Sequence, residues 1–419
     1  MTRRVVVTGL GVVAPNGVGK EEFAKAIFSG KSGISYITSV DPSKSGVRVG
    51  GEVRNLEPLN YMPIHIYRKT DRFVHLGLAA TKLAVVDARI AADSKAFKKA
   101  CVIIGSGQGG LTLHEQTIIN FLQSNGTKKS QASAVPRITS NAVSAYIAIQ
   151  YNIQGINQVI STACSSGAQA IGQAFRNIQS NLCDVAVAGG VEAPMSPVML
   201  DMYNAMMVLG SSPDEDPTKA SRPFDQTRNG FVLSEGAAIL VLESLEHAMQ
   251  RDAPVYAEIC GFGSNCGAYH MVTPNPTGED AAAAMLDAMK EADLEPGGID
   301  YINAHGTSTK WNDLAETNAI KLTFHKRAKE IPVSSIKSMI GHTIGAAGAI
   351  EGIASCLSLD ENAIPPTINL NTPDPECDLD YVPNKSRKAD INTVMSNSFG
   401  FGSNNAVLIF RRYSDGRKG

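Results

Sequence analysis

The 419-residue chain has little excess charge, few aromatic residues and no long apolar run. Its formal net charge is −2, so it has no overall basic field to attract nucleic acid or an anionic membrane, and an acidic partner must bind a local patch. No apolar segment approaches the length of a membrane span, and no secretory apolar region precedes the first strand-like run. These absences predict a cytoplasmic protein that binds neither nucleic acid nor membrane.

Cysteine is present but not in the pattern of a cross-linked protein. The seven cysteines are an odd number, they are widely separated, and the chain is too large to need disulfides for stability. We therefore expect reduced thiols. Cys260, Cys266 and His270 lie close together in the sequence, but they lack CxxC-type spacing and a fourth ligand. Ordinary packing is favoured there, and we expect no metal site.

Short β-branched runs alternate with longer Ala- and Leu-rich periodic stretches, which predicts an α/β fold with largely buried sheets. No linker separates a front half from a back half, so we expect two tightly fused halves, residues 1–255 and 256–419. The expected strands include 4–8, 101–105, 184–188 and 237–242, the expected helices include 76–89 and 281–292, and the stretches 210–223 and 261–279 look like loop insertions.

Two segments resemble each other and suggest an internal repeat. Residues 159–174 read as a strand, a tight turn with Cys164 and a small-residue helix, and residues 332–354 read as a strand, a turn with His342 and another small-residue helix. Small residues permit close helix packing, so the two helices are expected to meet at a pseudo-dyad. Chance similarity is the alternative interpretation.

Cys164 lies in the most informative of these settings, between an apolar strand-like stretch and a helix-like run of small residues. Such a turn places the thiol at a helix N-terminus, where free backbone N–H groups and the positive end of the helix dipole favour the thiolate. A cysteine of this kind is a candidate nucleophile. The alternative is that Cys164 is a small buried hydrophobic residue.

Two histidines and a lysine supply the other candidate groups. His305 leaves an apolar strand and enters a loop of small hydroxyl residues, while Lys337 and His342 lie five residues apart across a glycine. A lone histidine at a strand end is more often structural. Together with one cysteine, however, two histidines indicate a nucleophile plus groups that handle a proton or an oxyanion.

The segments around Cys164, His305, Lys337 and His342 resemble the β-ketoacyl-[acyl-carrier-protein] synthases of the thiolase fold. The Asn-Ser-Phe-Gly-Phe-Gly run at 397–402 and a middle signature between 223 and 237 belong to the same resemblance, which extends nearly end to end. It implies a five-layered α-β-α-β-α architecture of two pseudo-repeated halves. The first half would carry the nucleophile and the second both histidines.

This resemblance implies a decarboxylative Claisen condensation that needs no cofactor or metal. Cys164 would accept an acyl group from the phosphopantetheine of acyl carrier protein, and malonyl-carrier protein would then lose CO2 and attack the thioester. His305 and His342 would stabilise the enolate oxygen as neutral donors. The backbone N–H groups of Cys164 and Phe401 would form an oxyanion hole. Phe401 would also act as the gatekeeper of an acyl pocket that Phe399 lines.

Supporting roles follow from the same resemblance. Thr307 and Thr309 would bind the phosphopantetheine arm through their hydroxyl groups, with ordinary loop capping as the alternative. Lys337, near Glu316, would order the histidines and the local charge rather than take a proton. Docking of the acidic carrier protein is expected at two basic pairs, although solvated surface is the alternative: Arg68 with Lys69, and Lys128 with Lys129.

The pathway and the subunit partner stay open. The stretches 309–313, 372–383 and 403–405, with Ser234, resemble ketosynthase α subunits of type II polyketide systems, whereas 397–402 resembles fatty-acid elongation enzymes. The first implies a heterodimer with a chain-length factor that lacks the cysteine, and the second a homodimer. A dinucleotide-binding oxidoreductase is disfavoured, because Pro15 interrupts the G-x-G-x-x-A-like run at 9–14 where a helix should begin. A degradative thiolase is disfavoured because no second cysteine lies near 400–403.

Overall fold

The computed structural model describes residues 2–41, 45–127 and 130–414. The strands are β1 Val5–Ala14, β2 Gly17–Val18, β3 Ile34–Tyr36, β4 Val49–Gly51, β5 Cys101–Gly105, β6 Asn157–Ile160, β7 Val185–Glu192, β8 Gly236–Ser244, β9 Ala257–Cys266, β10 Tyr301–Asn303, β11 Val333–Ser334, β12 Ala363–Ile364, β13 Arg387–Lys388, β14 Thr393–Gly400 and β15 Asn404–Arg411. The helices are α1 Lys20–Ser29, α2 Ile64–Tyr67, α3 Arg72–Asp87, α4 Lys95–Lys98, α5 Leu111–Gln123, α6 Ala134–Ile138, α7 Ala142–Tyr151, α8 Ser166–Gln179, α9 Pro197–Ala205, α10 Leu245–Gln250, α11 Glu279–Glu291, α12 Lys310–Phe324, α13 Lys337–Ile340 and α14 Ala347–Glu361.

The main sheet has eleven strands, which are two five-stranded sets with the same topology and β2 paired with β1. The order is β6-β5-β7-β8-β1 in the first set and β11-β10-β14-β15-β9 in the second. When the strands of each set are ranked by their position in the chain, the two orders are identical. In each set the first three strands are parallel and the last two pairings are antiparallel. The sets join where Val5–Val7 of β1 pair with β9. This repeat bears out the expected α/β fold of two pseudo-repeated halves.

Helices cover both faces of both sets and produce five layers. Helices α3 and α7 pack outside the first set, and α11 with α12 packs outside the second, while α8 and α14 pack against each other between the two sets. Three separate apolar clusters fill the two outer interfaces and the central one. The small-residue helices predicted to meet at a pseudo-dyad are α8 and α14. They form the central layer that carries the candidate site.

Each half uses a glycine on its long first strand for close helix packing. A Cβ added to Gly11 in β1 would lie 1.9 Å from the carbonyl oxygen of Ala80 in α3. The equivalent Cβ on Gly263 in β9 would lie 2.0 Å from the carbonyl oxygen of Ala284 in α11. Only a residue without a Cβ lets these backbones approach so closely. The glycines near the N-terminus therefore serve packing within a continuous strand, not a phosphate-binding turn.

The expected loop insertion at 261–279 was wrong in its first part, because β9 continues to Cys266. The glycines at 261 and 263 made this segment resemble a loop in the sequence, although they lie in a strand that packs against α11. The first strand was predicted too short, at 4–8, because β1 continues to Ala14. The remaining named strands and helices were predicted within four residues, and β5 was predicted with its observed bounds. Across 2–41, 45–127 and 130–414, none of the helices combines the length and apolar character needed to cross a bilayer.

Candidate active site

Cys164 lies on a sharp turn between β6 and α8, as the sequence indicated. A short 3-10 helix, Ala163–Ser165, precedes α8, and Ala163 has a φ of 51°, a left-handed value that costs energy in a residue other than glycine. The second half repeats this turn at Ile344, where φ is 46° and a 3-10 helix leads into α14. The residue equivalent to Cys164 is therefore Gly345, not His342. Of the two equivalent turns, only the first carries a thiol.

The thiol of Cys164 is buried, with 6% of the residue exposed. Burial raises its pKa to about 12, although the Lys337 ammonium and the backbone N–H of Phe401 act to lower it. The sequence-based expectation of a thiolate favoured by the helix N-terminus was therefore wrong for the free protein, because desolvation outweighs those favourable interactions. Desolvation therefore favours the neutral thiol of Cys164 in the free protein.

A cavity of about 140 Å³ connects the predicted reactive groups. The structure brings both histidines to the wall that Cys164 also lines, and the two imidazole rings lie 5.4 Å apart and nearly perpendicular. Thr307, Thr309, Glu316, Phe399 and Phe401 contribute further to the lining. A single reactant could therefore meet the sulfur and both imidazoles.

His305 follows β10 and is held on both its backbone and its ring. Its backbone N–H and that of Gly306 each donate to a different carboxylate oxygen of Glu316, at 2.8 Å. Nδ1 lies 3.3 Å from the Nζ of Lys337, which as an ammonium can only donate. Nδ1 is therefore the acceptor and Nε2 carries the proton. Burial and the Lys337 charge lower the pKa of His305 well below its usual value, so the ring is neutral.

His342 reaches the same protonation state by a different contact. The backbone N–H of Ile344 donates to its Nδ1 at 3.3 Å, which leaves the proton on Nε2. Its own backbone N–H donates to the carbonyl of Val232 at 2.7 Å. Burial and the nearby Lys337 charge lower the pKa of His342 well below its ordinary value. The site thus contains two neutral imidazoles, each with an Nε2–H donor.

Lys337 lies behind the histidines and outside the lining of the cavity. Its Nζ donates to the carbonyl oxygen of His305 at 2.7 Å and pairs with the carboxylate of Glu351, and both partners of this ion pair are 1% exposed. Glu316, expected near Lys337, contacts His305 as Lys337 does, but it accepts from backbone N–H groups and Asn397. Glu351 was missed, although it is the only charged residue in the first thirteen positions of α14.

Glu192 is a second residue that the sequence did not single out. It ends β7, is completely buried, and accepts hydrogen bonds from the backbone N–H groups of Gly107, Gln108 and Gly345 and from the Ser106 hydroxyl. Burial raises its pKa to about 7. Because Gly345 belongs to the second half, Glu192 joins the two equivalent turns. A lone acidic residue at the end of an apolar strand was the available sequence signal.

Phe401 faces Cys164 through its backbone, and its ring packs against the apolar cluster that includes the cysteine. A Cβ on the neighbouring Gly400 would lie 3.2 Å from the backbone nitrogen of Cys164, so the two chain segments are in contact. Phe399 places its ring 5.7 Å from that of His305. The hydroxyls of Thr307 and Thr309 lie 2.8 Å apart on the cavity wall.

The predicted docking residues Arg68 and Lys69 are separate from this site. Arg68 and Lys69 are exposed after α2 and do not line the cavity. Lys128 and Lys129 lie outside the described residues.

In the part of the chain with assigned structure, no three His, Cys, Asp or Glu side chains are arranged to hold a metal ion. Buried side-chain oxygens without a hydrogen-bond partner occur on Asn303, Glu351 and Asn397. Oxygen atoms of this type are the ligands that hard cations prefer.

Comparison with known proteins gives consistent matches over nearly the whole chain. Residues 2–248 match the model of the β-ketoacyl synthase N-terminal domain, and residues 256–371 match that of the C-terminal domain. The chain is 43% identical to 3-oxoacyl-[acyl-carrier-protein] synthase 2 of Coxiella burnetii, with 99% of each chain covered. It is 41% identical to the protein of the same name from Synechocystis, with 98% of each covered.

Solved structures give the same picture. The ishigamide ketosynthase/chain length factor superposes with a TM-score of 0.91 at 34% identity, covering 99% of this chain and 100% of that one. A type II polyketide ketosynthase, bound to a hexaketide and in complex with its acyl-carrier protein, gives 0.90 at 34% identity with the same coverage. A β-ketoacyl synthase from Burkholderia phymatum gives 0.90 at 33% identity, covering 98% and 100%.

Proposed function

The chain belongs to the β-ketoacyl synthase family of condensing acyltransferases, and we propose that it joins an acyl group held on Cys164 to malonyl-[acyl-carrier-protein]. The observation that carries the proposal is the meeting of one buried thiol and two neutral, Nε2-protonated imidazoles at one cavity. The product is a β-ketoacyl-[acyl-carrier-protein], and the pathway is fatty-acid or polyketide synthesis.

In the first step Cys164 takes the acyl group from the phosphopantetheine sulfur. The cysteine S–H bond and the substrate C–S bond break, a new C–S bond forms, and the proton ends on the departing pantetheine thiol. The raised pKa of Cys164 makes this transfer depend on the Lys337 charge and the Phe401 N–H, which stabilise the developing thiolate. The backbone N–H groups of Cys164 and Phe401 serve as the oxyanion hole.

In the second step malonyl-carrier protein loses CO2 as its C–C bond breaks, and the resulting enolate forms a C–C bond to the thioester carbon. The Cys164 C–S bond breaks, and the departing thiolate takes a proton from water to restore the thiol. Negative charge develops on the malonyl thioester oxygen, where two preorganised Nε2–H donors act strongly because both imidazoles are buried. His305 and His342 supply those donors. Lys337 and Glu316 are positioning residues: Lys337 contacts the His305 ring from outside the cavity lining, and Glu316 holds the backbone N–H groups of His305 and Gly306. No residue in this scheme needs a cofactor or a metal.

Substrate binding follows the shape of the cavity. Thr307 and Thr309 present hydroxyls along its wall and would bind the polar phosphopantetheine arm. Phe401 packs against an apolar cluster that includes Met199 and Leu200, which suits an acyl chain once the ring moves, and Phe399 lines the entrance to it. Exposed basic residues at 68 and 69 would receive the acidic carrier protein, with 128 and 129 as a second docking pair.

A second subunit is part of the proposal. Strand β6 is at the end of the sheet order, its first residues are exposed, and it pairs on one side only with β5. Helices α5, α6 and α7 beside it expose large apolar side chains, namely Phe121, Leu122, Val135 and Ile149. Such an edge and surface suit burial against another copy or against a chain-length factor.

We also propose that the chain divides into halves at 255/256. A cytoplasmic location is proposed too, because it suits seven unpaired cysteines.

Assay of the purified chain alone tests the function and separates the two partner hypotheses. Acyl- and malonyl-carrier proteins should give β-ketoacyl product, and intact mass should show the acyl group on the protein but not on the Cys164→Ala variant. Condensation without a second subunit excludes an obligate heterodimer. Acylation that persists in Cys164→Ala would overturn the proposal.

A further inference from the structure

The fold brings together two cysteines that are 82 positions apart and outside the candidate active site. Cys101 begins β5 and pairs in register with Ala186 of β7, and Cys183 lies in the turn between α8 and β7, just ahead of that strand. The parallel pairing therefore places both thiols at the same end of the sheet. Their sulfur atoms are 2.6 Å apart, so the two thiols are in direct contact.

The surroundings make Cys101 the more nucleophilic of the two. Contact with the Cys183 sulfur lowers the pKa of the Cys101 thiol, against the effect of burial. The side-chain amide of Asn177 adds a longer contact of 3.9 Å, and its orientation is set because its oxygen accepts a hydrogen bond from Gln173 at 2.9 Å. The Nδ2 group of Asn177 therefore faces the sulfur. Cys183 loses acidity in the same interaction, which leaves it as the resolving thiol.

The dithiol is covered by a thin, exposed turn. Cys101 is 1% exposed and Cys183 is 7% exposed, whereas Leu182 next to Cys183 is 61% exposed. A small oxidant reaches the pair after a local movement of this turn, without unfolding of the sheet. Cys164 lies at the opposite end of α8, about 20 Å away along the helix axis at 1.5 Å per residue.

We propose that Cys101 and Cys183 form a redox-active dithiol that reduces a small hydroperoxide and becomes an intramolecular disulfide. The Cys101 sulfur attacks the terminal peroxide oxygen, the O–O bond breaks, and the alcohol or water leaves with a proton, giving a sulfenic acid. Cys183 then attacks that sulfur, forming the S–S bond and releasing one water. In total, two thiols and one hydroperoxide give one disulfide, one alcohol or water, and one further water.

The order of oxidation follows from the two environments. Cys164 is held as a neutral thiol by burial, so it reacts slowly with peroxide, whereas Cys101 has a neighbouring donor and a partner that traps its sulfenic acid. The dithiol should therefore be oxidised before the nucleophile. The resulting cross-link ties β5 to the α8–β7 turn and leaves the cavity unchanged.

Titration of the purified full-length chain with hydrogen peroxide tests this proposal. We expect intact mass to fall by about 2 Da, consistent with loss of two thiol hydrogens. Non-reducing peptide mapping should join the peptides of Cys101 and Cys183, and condensation activity should stay within about twofold of the reduced protein. The Tm should rise by about 5 °C, because the disulfide restricts the unfolded chain.

Two matched variants define the outcome. Cys183→Ser should lose the linked peptide and instead accumulate oxygen on Cys101, whereas Cys266→Ser removes an exposed thiol and should still form the link. Oxidation of Cys164 before any Cys101–Cys183 link appears, or a 2 Da loss that persists in Cys183→Ser, would overturn the proposal. Loss of condensation on formation of the link would also contradict it, since the cross-link is remote from the cavity.

Discussion

The ammonium of Lys337 lies 3.3 Å from Nδ1 of His305 and fixes the proton of that ring on Nε2. The same group donates to the backbone carbonyl of His305 and is paired with Glu351. Lys337 does not contact the reactant, yet its charge decides whether the His305 ring presents an N–H donor to that reactant. The active tautomer depends on a buried ion pair that is contributed by α13 and α14.

Replacement Lys337→Met should reduce condensation about 10²-fold, because His305 can then place its proton on Nδ1 and lose the Nε2 donor. Acylation of Cys164 should fall by less than about tenfold, since the backbone donors remain. The variant should also lose about 3–5 kcal/mol of stability, because Glu351 is left buried without its partner. Separate single-turnover assays of acylation and condensation, with imidazole ¹⁵N shifts, measure these effects.

The double variant Lys337→Met with Glu351→Gln is the control for folding. It removes the uncompensated charge and should recover most of the lost unfolding free energy, but the His305 tautomer and the condensation rate should remain altered. Recovery of condensation together with stability would mean that Lys337 acts only through the fold.

Sequence reasoning singled out Cys164, both histidines and Lys337, which the structure brings together, because each stands out in a local pattern of strand, turn and small residues. It failed on Glu351 and Glu192, whose roles depend on which segments meet at the pseudo-dyad, and that information is not local. It also assigned the thiol of Cys164 the wrong charge. The helix N-terminus is visible in the sequence, whereas the degree of desolvation that outweighs it depends on tertiary packing.

The glycines Gly11 and Gly263 should be equivalent in their contribution to stability, because they occupy matching places in the two halves. Replacement of either by alanine drives a Cβ to within 2.0 Å of a helix carbonyl, so each variant should lose about 3 kcal/mol or more of unfolding free energy. Gly297→Ala is the control, since an added Cβ there has nothing within 4 Å, and its effect should be within about 0.5 kcal/mol. Chemical denaturation measures all three. A tolerated Gly11→Ala would contradict the packing account of the strand.

Charge reversal at Arg68 and Lys69 should weaken carrier-protein docking and leave the chemistry intact. We expect KM for acyl-carrier protein to rise about tenfold, with no change for a small acyl thioester that does not use the surface. Lys98 and Lys99 form another exposed basic pair in the same half, and their reversal is the matched control. An equal rise in KM for both double variants would indicate only a general effect of net charge, and unchanged kinetics across salt would remove the docking proposal.

The raised pKa of Cys164 gives a pH dependence that distinguishes a neutral resting thiol from a preformed thiolate. With a pKa of about 12, the thiolate fraction grows about tenfold per pH unit between pH 7 and 9.5, so alkylation by iodoacetamide should accelerate in the same proportion without a plateau. Peptide mass spectrometry on a Cys266→Ser background follows Cys164 without competition from the exposed thiol. In Lys337→Met the rate at each pH should be lower, because the cation that stabilises the thiolate is gone. A rate that is already constant at pH 7 would mean that the helix N-terminus outweighs burial, and the acyl-transfer step would then begin from an ion pair rather than from a thiol.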